Sequence, residues 1–82
     1  MILFINSERD AINITHGLCK GTVTGAGTAY SCNIMDGTTV LHTVEGTSVA
    51  ETVSAANAWI EAFLAAVKAD GGGTVIIDID DL

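Results

Sequence analysis

Ser31, Asn33 and His42 lie on two stretches that a tight turn at Asp36-Gly37 would fold against each other. A two-residue Asp-Gly loop is a strong hairpin signal, and it fixes the register by counting outwards. Met35 then faces Thr38, Ile34 faces Thr39, Cys32 faces Leu41, Ser31 faces His42 and Tyr30 faces Thr43. A serine hydroxyl opposite an imidazole has the makings of a nucleophile and its base. The chain has no spaced constellation of acid, base and nucleophile around that pair, and no serine stands in a G-x-S-x-G setting. The pattern therefore predicts no catalytic residue. One face of the hairpin gathers Tyr30, Cys32, Ile34 and Leu41 as core, and the other carries Ser31, Asn33 and His42 beside Val40 and Val44.

The remaining reactive residues are scattered. His16, His42, Cys19 and Cys32 show neither C-x-x-C nor H-x-x-x-H spacing, which speaks against zinc. Asp78, Asp80 and Asp81 lack the surrounding loop of alternating oxygen ligands that calcium requires, so they read as a solvated acidic tail. No metal and no cofactor is expected. Gly25-Ala26-Gly27 precedes a strand, as does Gly71-Gly72-Gly73, so neither run builds a phosphate cradle at a helix start. Nothing points to a small-molecule substrate.

The element that must organise these residues runs from Ser48 to Asp70. Ser48 and Glu51 form a capping box, Lys68 suits the last turn, and Gly71 suits a left-handed cap. Val49, Val53, Ala56, Ile60, Phe63 and Val67, widened by Leu64, fall on one stripe. Ala55, Ala58, Ala62, Ala65 and Ala69 form a second, smooth row suited to another subunit, with Ala58, Ala62 and Ala65 its expected centre. Ahead of the helix, strands are expected at Ile2–Ile5, Ala11–Thr15, Cys19–Thr24, Thr28–Met35 and Thr38–Val44, the second returning antiparallel to the first. Thr74–Asp80 closes the chain with Val75, Ile77 and Ile79 inwards. Ile76 breaks that alternation, exposed on an isolated subunit and covered in an interface.

Eighty-two residues make one domain with a marginal core, and oligomerisation is a common way to complete one. Ten acids against Arg9, Lys20 and Lys68 give a net charge of −7, a field that repels phosphate backbones and anionic membranes. The apolar opening has no basic flank and no run reaches membrane-spanning length, so a soluble intracellular chain is expected.

The order of elements resembles a small Sm-like barrel, of the kind inferred for marine cyanophage, with its helix moved between the fourth and fifth strands. Cys32-Asn33-Ile34 sits where an Sm-type first motif has a hydrophobic residue, a base-contacting asparagine and an aliphatic one. Gly21 and Val23 match the preceding glycine and hydrophobic positions, whereas Ala29 replaces the acidic residue and no Arg-Gly pair follows. The resemblance implies an α+β, mainly β fold: a bent five-stranded antiparallel barrel with one amphipathic helix before the last strand. It also implies a homo-oligomeric ring binding single-stranded RNA or DNA through Asn33, Ser31, His42 and Tyr30, with Lys20 and Arg9 near a pore. The acidic, smooth surface fits equally well a structural oligomer of phage origin that binds no nucleic acid.

Overall fold

The computed structural model describes residues 1–71 and 73–82. In chain order they form β1 (Ile2–Ile5), β2 (Ala11–Asn13), β3 (Leu18–Lys20), β4 (Thr24–Ala26), β5 (Ala29–Asp36), β6 (Thr39–Gly46), α1 (Val49–Asp70), β7 (Val75–Asp78) and a 3-10 turn at Ile79–Asp81. The α+β class and the helix before the last strand are as expected. The five-stranded antiparallel barrel is not. Among the described residues seven strands divide into two open sheets with no closed barrel. One sheet has the order β2-β1-β7, with β1 parallel to β7 and antiparallel to β2. In the other, β5 carries β6 along one edge and β3 and β4 in succession along the other. The strand expected over Cys19–Thr24 breaks at Gly21, whose amide still reaches Asn33 O at 2.8 Å. Gly72, the middle of the glycine exit, lies outside the described residues.

The helix joins the two sheets. Ser48 caps it with Oγ accepting from the Glu51 amide at 3.1 Å, Glu51 returns its carboxylate to Thr47, and Gly71 ends it at φ 84°. Twenty-two residues at about 1.5 Å each reach some 33 Å, enough to lie along both sheets of a molecule 44 × 22 × 20 Å in extent. Its first half packs Ala56 on Cys32, Ile34 and Val44. Its second half packs Phe63 with Phe4, Leu41, Val75 and Ile77. Trp59 belongs to both clusters, stacked on Phe63 and edge-on to Phe4.

The buried stripe follows Thr52, Ala56 and Phe63, with Val53, Trp59, Ile60 and Val67 half-buried beside it; Ala56 and Phe63 are as expected, whereas Val49 and Leu64 are left 51% and 54% exposed. Thr52 sits inside because its hydroxyl back-bonds to Ser48 O at 2.8 Å and β6 passes close to it. A Cβ on Gly46 would lie 2.6 Å from Thr52 Oγ1, so only glycine permits that approach.

Candidate functional site

The hairpin decides which polar residues meet, and its register differs from the expected one. Asp36 pairs with Thr39, so the two-residue loop is Gly37-Thr38, with Gly37 at φ 60° and Thr38 at negative φ as in a II′ turn. Asp36 stays in the strand because its carboxylate, 5% exposed, accepts the amides of His16 at 2.7 Å and Thr15 at 3.1 Å. Those bonds, the Thr15 amide foremost, hold Asp36 below the usual carboxylate range. A bulge between Ile34 and Met35 then leaves Leu41 unpaired, shifting the rest of β6 and exchanging its faces. Val44 turns into the core as a result.

The expected facing of Ser31 and His42 across the hairpin is thereby lost. Ser31 lies opposite Glu45, with Thr24 on its other side. His42 lies opposite Ile34 on the inner face, its ring stacked on Trp59 at 5.0 Å and 18°. Burial there lowers the His42 pKa below its ordinary value. Asn33 remains exposed, its Oδ1 accepting from Thr43 Oγ1 at 2.8 Å. Tyr30 is half-buried between Gly25 of β4 and Gly46 of β6.

The cations do not gather. Lys20 Nζ donates to Asn57 Oδ1 on the helix at 2.6 Å. Arg9, at φ 67° in the Asn6–Asp10 turn, forks onto both oxygens of Asp78 at 2.8 and 2.7 Å and reaches Asp80 at 3.4 Å. That fork holds Asp78 down to about 2 and raises Arg9. Among the described residues no group of three His, Cys, Asp or Glu side chains could hold a metal ion. Cys19 is exposed, Cys32 is buried, and both are free thiols. No helix among the described residues is long and apolar enough to cross a membrane.

Two surfaces among the described residues hold further predicted site residues. Tyr30 and Ser31, with Thr24, Thr28, Glu45 and Thr47, line a cleft of about 530 Å³ at one end of the longer sheet. Ile76, 63% exposed on β7, borders a depression of about 330 Å³ with Ala66, Ala69 and Leu82, rimmed by Asp70, Asp78 and Asp81. Exposed Ala65, Ala62 and Ala58 continue that smooth surface along the helix at spacings of three and four. Neither Trp59 nor the buried role of Asp36 was legible as part of a site; the signal for Asp36 is an acid beside a glycine turn with two free amides twenty residues upstream, which only the fold brings to it. Comparison with protein-family models, with curated proteins and with solved structures finds no match.

Proposed function

We propose that the chain is a non-enzymatic assembly module that pairs with a second copy of itself through the open edge of β7. The observation that carries this reading is Ile76, an exposed isoleucine on a strand that is paired on one side only among the described residues. Val75 donates to Met1 O at 2.9 Å, so by alternation Val75 and Ile77 turn their peptide groups to β1 and Ile76 turns its own to the open edge. An unpaired N–H and C=O beside an exposed apolar side chain form a template for another strand. The β6 edge is interrupted by its bulge at Leu41, and Val40–Thr43 share a depression with Asn6, Ser7 and Glu8. Self-pairing of the β7 edge closes a two-fold pair, whereas a ring needs two different edges on each copy.

An antiparallel pair centred on Ile76 sets Asp78 opposite Thr74 of the second copy, which keeps like charges apart. Burying each isoleucine contributes at most about 3 kcal/mol, against an association cost of roughly 4 kcal/mol or more. The two isoleucines and the two edge hydrogen bonds that Ile76 offers then leave at most about 4 kcal/mol net, so the expected dissociation constant is about a millimolar or weaker. Nucleic-acid binding draws less support, because Arg9 and Lys20 are engaged within the chain and His42 faces away from Asn33 and Ser31. Sedimentation velocity over a range of concentrations tests the assembly: the wild type should shift towards a dimer, and Ile76→Lys should remain monomeric at every concentration. An unchanged monomer for both, or equal dimerisation of both, would refute it.

A further inference from the structure

The helix covers one face of the β2-β1-β7 sheet. Phe4, Val75 and Ile77 turn to that side and pack with Phe63. By alternation Leu3, Ile5, Ile76 and Asp78 point to the other side, with Ala11 and Asn13 beside them on β2. Leu3 and Ile5 belong to neither hydrophobic cluster, and Ile76, the partner of Leu3 across the strand pair, is 63% exposed. The two strands run parallel and read Ile-Leu-Phe-Ile and Val-Ile-Ile, apolar on both sides. Parallel strands with such unbroken apolar runs ordinarily lie in sheets covered on both faces.

Two observations say what covers the second face. The first is charge. The chain carries −7, yet these strands place a single acid on this face, Asp78, and the Arg9 fork neutralises it. Another copy, equally acidic, therefore meets little like charge there. The second is continuity with the β7 edge. A two-fold pair joined at Ile76 has its axis normal to the sheet, so both helices lie on one side and both outer faces on the other. Pairing thus doubles the face. Three strands of three or four residues offer roughly 200 Å² and six offer roughly 400 Å². Two single faces are too small to hold together, whereas two doubled ones reach the size of weak, reversible interfaces, which bury less than about 1,200 Å² in total.

We propose that two edge-joined pairs pack through these outer faces, sheet on sheet, into an assembly of four chains. Leu3, Ile5 and Ile76 form its dry centre, with Asn13 and the Arg9–Asp78 fork at its border. This second interface rests on the β7 edge reading and extends it.

Methyl NMR with a soluble paramagnetic relaxation agent tests the face, and amide exchange at Ile76 in the same samples reports the edge. As chain concentration rises, the Leu3 and Ile5 methyls should lose their relaxation by the agent, while the methyl of Thr43, exposed on the longer sheet, keeps it. Sedimentation should pass beyond two chains at the same concentrations. Leu3→Lys leaves the β1 backbone and the core in place, with Trp59 fluorescence reporting an intact fold. It should stop assembly at two chains and keep Ile5 open to the agent, with slowed exchange at Ile76 retained. Leu3 and Ile5 methyls equally accessible at every concentration, beside a slowed Ile76 amide, would overturn this inference and leave the edge pairing standing. Unchanged exchange at Ile76 would overturn both. Leu3→Lys assembling like the wild type would overturn the face alone.

Discussion

Asp36 determines where the long hairpin turns. Read along the chain, Asp36-Gly37 has the composition of a loop, but the carboxylate has two amides to satisfy, from Thr15 and His16, and stays in the strand to reach them. That displacement, with the bulge after it, separates Ser31 from His42 and sends His42 onto Trp59. Such a partner, twenty-one residues away, leaves no trace in local sequence. Arg9 and Asp78 are similar, two ordinary surface residues until the fold makes them a fork. The same contacts set the response to acid. His42 has a folded-state pKa below its unfolded value of about 6.5, so its share of stability is complete above that pH and fades as pH falls through the lowered value. Asp78, at about 2 in the folded state, contributes fully above its unfolded value of about 3.9 and loses that contribution as pH falls towards 2. Thermal melts should therefore show a fall in Tm in two stages on acidification. His42→Phe, which keeps a ring against Trp59 and cannot protonate, should reduce the first stage, and Asp78→Asn should reduce the second. Unchanged pH profiles in both variants would contradict this assignment.

At the scale of elements, what was local was legible. The helix bounds, its Ser48–Glu51 box, Lys68 in the last turn and Gly71 beyond it all follow from neighbouring residues and stand as read. The first strand and its antiparallel return are likewise as expected. The buried face of the helix was read less well. Counting aliphatic residues selects Val49 and Leu64, whereas the fold buries Thr52 and places Trp59 at the joint of the two hydrophobic clusters. A threonine can occupy the core only because Ser48 O takes its hydroxyl and Gly46 leaves it room, and neither condition is a matter of periodicity. Trp59→Ala removes the bridging ring from both clusters and the stack under His42. It should cost about 3 kcal/mol, on the order of 10–20 °C in Tm for a chain this small. Leu64→Ala, of an exposed residue on the same helix, should cost less than about 1 kcal/mol. Urea titration of the two variants distinguishes these outcomes, and equal losses would show that the helix packs by a different face.

The whole molecule is two small sheets held along one helix, and a barrel does not form because β1 closes with β7 in a parallel pair while β5 and β6 pair elsewhere. Strand pairing between distant segments depends on the total arrangement of the chain, so strand-by-strand reading suggested closure that the fold does not have. What the sequence did indicate is the anomaly at Ile76, and it now sits beside an unpaired strand edge and a smooth helix row. The claim that this edge joins two copies is tested most directly by amide hydrogen exchange at Ile76. Exchange at Ile76 should slow as protein concentration rises, while the Val75 and Ile77 amides, turned to β1, change little. An Ile76 amide exchanging at the same rate in dilute and concentrated solution would contradict it.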